Sequence, residues 1–295
     1  AAADCAAATC AGRSLAQALA PGDIFLLRGG GRLTGIGAAG GMFGHVMVAT
    51  SRPQGVRMGT PEAEALRPVW PCSEDALEVW RVGTIESTRR EQGLHETDSI
   101  FVVDSCTGAI TLVGECSRQG ELTVIECCEL VVVWKAPAEL RALVAPGVVQ
   151  DVVAGMKAQM REANWSMLTA ARAAFQDATL GVGQDDASTL EEVQACWSNG
   201  PICTSVAIIC WQRCLCRAAG GQGAADLILR WMPLKADRAL PSDLICTLLA
   251  TGWSLVERVG EPDPSYRPRF AELLAWPERE RGQVREVKVG ETVSL

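Results

Sequence analysis

The order of patterned segments predicts an α+β fold, with an antiparallel sheet packed against a buried helix. Three observations predict it. Short apolar and alternating runs occupy most of the chain from about residue 23 to 136. Past Pro137 the apolar residues take up helical spacing. One later segment, "GPICTSVAIICWQRCLCRAA", is apolar around most of its helical circumference, which marks a helix enclosed by other elements. Strands first and helices later favour α+β over an alternating α/β sheet.

Taken in order, residues 1–20 read as an Ala-rich helical extension stopped by Pro21-Gly22. "DIFLLRG" is a strand. The glycine-rich stretch Gly29 to Gly44 lacks the Gly-Lys-Ser/Thr ending of a phosphate loop and the spacing of a dinucleotide fingerprint, so it reads as a connecting loop. "HVMVAT", "ALEVWRVG", "SIFVVDS", "AITLVGE", "LTVIECCE" and "LVVVWKA" follow as strands, with "SCTG" as a hairpin turn. "AELRALVAPGVVQDVVAGMKAQMREA" and "SMLTAARAAFQDATL" are helical. "GVGQDDAST" is a loop whose Ser188 and Glu191 suit the cap of the next helix. After the buried helix comes a shorter one, "PSDLICTLLATG". The organisation expected is an extension over 1–20, one domain over 21–260 and a peripheral polar tail over 261–295.

Composition excludes several roles. The chain is 48% hydrophobic and 21% charged, with a net charge of −8 and a pI near 5.0. No basic stripe is present, which argues against nucleic acid as a partner. No apolar run approaches the roughly 20 residues that span a bilayer, so the chain is read as not transmembrane. Thirteen cysteines are present and no Cys-x-x-Cys pair. Cys210, Cys214 and Cys216 share an apolar segment without a histidine, and are read as small core residues rather than metal ligands. No metal or cofactor is implied. The chain opens on alanine, which is read as a leader removed or trimmed. The compartment stays open, with an organelle or the secretory route both compatible.

One segment carries chemistry. In "SNGPICTSV", Pro201 suits a first helical turn and Ser198, Asn199 or Gly200 can cap it, which places Cys203 at a helix N-terminus. Free N–H groups and the positive end of the helix dipole stabilise a thiolate there. The same N–H groups can bind an oxyanion formed when a thiolate attacks a carbonyl. The base is sought among two histidines. His45 heads a strand after Gly44, whereas His95 lies in "REQGLHETD", read as a polar hairpin or loop, so His45 is favoured. Glu126, a carboxylate within the apolar run "TVIECCE", is the candidate that orients the histidine, because an isolated buried charge is costly unless paired.

These residues resemble the circularly permuted branch of the NlpC-type papain-like cysteine hydrolases and, more distantly, the lecithin:retinol acyltransferase group. The motifs that carry the resemblance are "PGDIFLLR" at Pro21, "GHVMVAT" with the histidine, "VIEC" with the glutamate, "ICTSV" with the cysteine, and "PSDL" at Pro241. Their order, His45, Glu126, Cys203, is that of the permuted branch. The chain departs from the pattern at Ile202, where the family has an aromatic, and at Thr204-Ser205-Val206, which lacks the usual acid or amide. The interval from His45 to Glu126 holds an extra hairpin at about 85–114.

The resemblance implies a permuted papain-like fold and a thiol protease, amidase or acyltransferase. Cys203 would be the nucleophile, His45 the base and Glu126 its orienting partner, acting on a peptide, amide or acyl-lipid substrate. The alternative expectation is a non-catalytic papain-like accessory or scaffold subunit of a larger protein assembly. A redox-sensing thiol protein ranks third, resting on cysteine number alone.

Overall fold

The computed structural model of the 295-residue chain describes residues 15–28, 44–70, 77–88, 93–105, 108–117, 121–160, 169, 173, 176–181, 186–198, 201–220 and 223–256. The strands are β1 (Ile24–Arg28), β2 (His45–Ala49), β3 (Gln54–Gly55), β4 (Leu77–Thr88), β5 (Gly93–Asp104), β6 (Ile110–Cys116), β7 (Leu122–Lys135) and β8 (Ser254–Val256). The helices are α1 (Leu15–Ala18), α2 (Pro61–Leu66), α3 (Ala138–Leu143), α4 (Pro146–Gln159), α5 (Asp186–Trp197), α6 (Cys203–Ala219), α7 (Ala224–Trp231) and α8 (Pro241–Ala250).

All strand pairings are antiparallel. β1 pairs with β2 on one side and with β7 on the other, so the path β1-β2-β4-β5-β6-β7 returns to its start and closes a barrel. β3 pairs with β4, and β8 extends β7.

The alternation of each strand divides its side chains between two cores. Phe25, Leu27, Met47, Ala49, Val82, Phe101, Val103, Val131 and Val133 form one cluster, with the Phe25 and Phe101 rings stacked at 5.0 Å. Leu15 and Leu19 belong to it, so the end of the predicted N-terminal extension packs with the barrel. The opposite parity, Ile24, Leu26, Val46, Val48, Val132 and Trp134, packs against the helices. A third cluster, of Leu66 from α2 with Val79, Ile100, Val102 and Val113, covers β4, β5 and β6.

At the centre of the helical layer lies α6, in contact with β2, β4, α4, α7 and α8. Its residues 204–212, 214 and 215 are all buried, as its apolar circumference predicts. Gln212 brings a polar amide into the middle of this buried stretch, and its side chain is hydrogen-bonded through both its nitrogen and its oxygen. Its amide donates to the carbonyls of Met232 (3.1 Å) and Leu234 (2.7 Å), and its oxygen accepts from the Trp197 indole (2.9 Å). The Pro21-Gly22-Asp23 turn is fastened to the same helix. The Trp211 indole donates to the Gly22 carbonyl at 3.0 Å, and a Cβ on Gly22, whose φ is +94°, would meet that ring at 3.0 Å. Asp23 closes the turn by accepting from the Ala20 N–H (2.9 Å) and from Lys135 (2.8 Å).

Several elements differ from the sequence reading. β4 does not stop at Gly83 but runs on to Thr88. The glycine is there because a Cβ would lie 2.8 Å from the Thr50 hydroxyl and 3.0 Å from that of Ser51, which bonds the Gly83 N–H. β5 begins at Gly93, so His95 lies on a strand rather than in a loop. The two strands expected over 122–136 are one, β7, in which the β6 pairing shifts register. α5 begins at Asp186, which places Ser188 and Glu191 inside the helix rather than at its cap. α2, capped by Thr60, and α7, which follows Gly223 at φ +74°, were not anticipated. Most of the predicted helix "SMLTAARAAFQDATL", the glycine-rich loop, residues 1–14 and the tail past 257 lie outside the described residues.

Candidate functional site

The site forms where the barrel is least complete. β2 and β4 pair at only two positions, Val48↔Ile85 and Ala49↔Thr84. Continued by two more residues, that register would set Val46 against Ser87. Instead the start of α6 occupies the gap. The Ser87 hydroxyl donates to the Pro201 carbonyl at 2.9 Å, and the Val46 N–H donates to the Cys203 sulfur. The Ser87 hydroxyl and the Val46 N–H thus tie the start of the helix to the two strands across the gap.

Cys203 is the first residue of α6, with Ile202 in the cap position. The helix therefore starts just after Pro201, which lies outside it rather than in its first turn. Ser198 follows the end of α5, and Asn199 and Gly200 lie outside the described residues. Ser205 fixes this end of the helix. Its hydroxyl accepts from the Ile202 N–H (3.2 Å) and donates to the Ala236 carbonyl (2.6 Å). No acidic residue occupies the first turn, so the positive helix terminus acts on the sulfur unopposed by its own helix.

His45 opens β2 and is 6% exposed. Its ring is hydrogen-bonded to the Cys203 thiol and, through Nε2, to Glu86 Oε2. With Nε2 committed to the carboxylate, Nδ1 is the nitrogen left to bond the sulfur. Glu86, on β4, is 1% exposed, and its second oxygen, Oε1, lies 3.0 Å from Nε2 of His95. Both histidines of the chain therefore converge on one buried carboxylate.

The electrostatics follow from these contacts. Burial by itself pushes the Cys203 thiol up, but His45, the Val46 N–H and the Thr204 hydroxyl bring it below its ordinary value of 9.0. Burial opposes protonation of His45, yet Glu86 and Cys203 together raise it well above 6.5. Burial also disfavours the charged form of Glu86, and the two histidines outweigh it, holding the carboxyl far below its usual range. Cys203 stands apart from other thiols of the helical layer. Burial pushes Cys196 up to about 12 and raises Cys216, and Cys214 is raised mainly by its contact with Cys210.

The sign of the pH dependence is fixed by these shifts. His45, raised, contributes stability that is complete below 6.5 and is lost as pH rises through its folded value. Glu86, lowered, contributes stability that is complete above 4.5 and is lost only as pH falls through its folded value. In a Cys203→Ala protein, which removes the thiol's own titration, urea unfolding should place the largest stability advantage over Cys203→Ala/Glu86→Leu between these two values. That advantage should shrink on the alkaline side. An advantage that grew with pH above 7 would contradict the ion pair.

Of the residues predicted from sequence, the structure brings together Cys203 and His45. Glu126 lies in β7, in the stretch where the register shifts, and its side chain is outside the described residues. The carboxylate that meets His45 is Glu86. Like Glu126 in the sequence reading, it is a strand carboxylate whose burial demands a partner, and it comes into view once β4 is followed past Gly83 through "TIES".

The arrangement can stabilise a thiolate–imidazolium pair and, through the free N–H groups at the start of α6, an oxyanion beside it. Among the described residues no cluster of three or more His, Cys, Asp or Glu could hold a metal ion, and no helix is long and apolar enough to cross a membrane. Compared with family profiles, curated proteins and solved structures, the chain matches none.

Proposed function

We propose that the chain is a thiol hydrolase or acyltransferase of permuted papain-like fold that attacks amide or ester carbonyls through Cys203, His45 and Glu86. The observation that carries the reading is the contact between Cys203, at a helix N-terminus, and His45, whose other nitrogen is held by a buried carboxylate. The order along the chain, base, orienting acid, nucleophile, is that of the permuted branch the motifs resemble.

In the proposed reaction the Cys203 thiolate bonds to the carbonyl carbon, and the carbonyl electron pair moves onto oxygen, which backbone N–H groups at the start of α6 receive. As the C–N or C–O bond breaks, His45 gives its proton to the departing nitrogen or oxygen. Neutral His45 then takes a proton from water or from an acceptor nucleophile, which attacks the thioester and releases Cys203. Glu86 stays ionised throughout, holding the imidazole in orientation and stabilising its charged form.

Labelling tests this. At pH 6 iodoacetamide should alkylate Cys203 at least about tenfold faster than Cys116 or Cys216, since the thiolate is the reactive form and its population follows the thiol pKa. Peptide mapping reads the result. Acyl electrophiles of amide and ester type should be captured at the same residue. Alkylation of Cys203 no faster than of the other two, together with no capture by any acyl probe, would instead favour the non-catalytic accessory subunit.

A further inference from the structure

Glu86 gives only one of its oxygens to His45. The other, Oε1, is taken by Nε2 of His95 at 3.0 Å, across the paired positions Glu86↔His95 of β4 and β5. The second nitrogen of His95, Nδ1, lies 3.2 Å from the carbonyl oxygen of Gly93 on the same strand. A carboxylate and a carbonyl can only accept. A neutral imidazole has one N–H to offer, so two acceptors, one at each ring nitrogen, require the doubly protonated form.

Resting on the hydrolase reading, we propose that His95 is a positioning residue, a fixed imidazolium that occupies the second oxygen of Glu86, orients the carboxylate toward His45 and limits how tightly His45 holds its proton. With the Cys203 thiolate and the His45 imidazolium in place, the four groups carry two negative and two positive charges. Take away the His95 cation and the cluster becomes net anionic. His45 then retains its proton to higher pH and releases it less readily to a leaving group. Among the described residues, the ionisable groups that act on His95 are Glu86 from β4 and Glu115 from β6. Those facing His45 are Glu86 and Cys203, and those facing Glu86 are the two histidines. His95 itself is partly exposed, its side chain at 20%, so it connects the buried pair to solvent.

The chain's two histidines make the test direct. Imidazole nitrogen NMR of the intact protein reads both rings, and His95→Gln assigns them. In the wild type both nitrogens of His95 should be protonated at pH 7. In His95→Gln, whose amide can still donate to Glu86 but carries no charge, the pH at which His45 loses its proton should rise by about half to one unit. His95→Lys, which restores a cation, should bring it back. Circular dichroism checks that each variant is folded, and the glutamine and lysine variants keep the test available if His95→Ala does not fold. A singly protonated His95 at pH 7, or a His45 midpoint unmoved in His95→Gln, overturns the proposal. Neither result depends on turnover. Slow alkylation of Cys203 in the wild type counts against the hydrolase reading instead, so the two failures are distinguishable.

Discussion

Replacing His45 by alanine should slow acyl capture and turnover at pH 6–7 by about 100- to 10,000-fold, the range that a positioned acid–base group supplies. Without the imidazolium, burial dominates the thiol, and the largest influence that lowers it is gone. Capture should therefore reappear as pH is raised, since hydroxide then does what the histidine did. That recovery separates loss of a base from loss of structure. The fold should survive, because Glu86 keeps His95 as a partner and the remaining hydrogen bonds of the α6 terminus do not involve the imidazole. Near-UV circular dichroism and stopped-flow labelling across pH check both points. Equal labelling rates in wild type and His45→Ala at pH 6 would remove His45 as the base.

Glu86→Gln should be nearly as severe at neutral pH, on the order of 100- to 10,000-fold, although it changes one atom. A glutamine has a single acceptor oxygen, whereas Glu86 serves two imidazole N–H groups. If the oxygen turns to His95, the amide N–H₂ faces Nε2 of His45. That forces the tautomer with hydrogen on Nδ1, which cannot take the proton of Cys203. If it turns to His45, His95 loses its acceptor. Because His95 is partly exposed, water can take up its freed N–H, so the thermal stability should fall by less than the roughly 1–3 kcal/mol that a fully buried unpaired donor costs. The argument makes a further demand. In Glu86→Gln/His95→Ala the amide oxygen is free for His45, and about tenfold of the lost labelling rate should return, a coupling of the size that residues in one network show. Simple addition of the two losses would mean that the histidines do not compete for the same side chain.

Much of the site was legible because it is local. Gly44-His45 before an apolar strand and Pro201 before an apolar helix are signals contained within a few residues, and both elements start where those signals place them, to within a residue or two. The third member was not legible, for a reason that Gly83 makes plain. A glycine in a strand reads as an ending, yet here it gives room to Thr50 and Ser51, which follow β2. That contact exists only once the barrel has closed. With β4 cut short, Glu86 falls into a supposed hairpin insertion, and Glu126, inside the apolar run "TVIECCE", reads as the best orienting carboxylate. His95 was misplaced for a related reason. The polarity of "REQGLHETD" suggests a hairpin or loop, and the stretch does lie in the β4–β5 hairpin, but past Gly93 it is strand, where Glu86 partners His95, and Thr50 and Lys157 partner Glu96.

The seam between β2 and β4, filled by the start of a helix rather than by strand, also sets an order of events during synthesis. Ser87 and Pro201, which meet across it, are 114 residues apart, and Gly22 and Trp211 are 189 apart. At about 5–20 residues per second, Ser87 leaves the ribosome roughly 6–23 s before Pro201, which meets it. Through that interval the nascent chain carries an unpaired strand edge at the seam, the kind of surface that pairs with other chains. It also carries a histidine and a glutamate with no nucleophile beside them. The assembled Cys203–His45–Glu86 cluster and protection from aggregation therefore arrive together, with the same few residues. A chain truncated before Pro201 should depend on chaperones to remain in solution and have no reactive thiol at the seam.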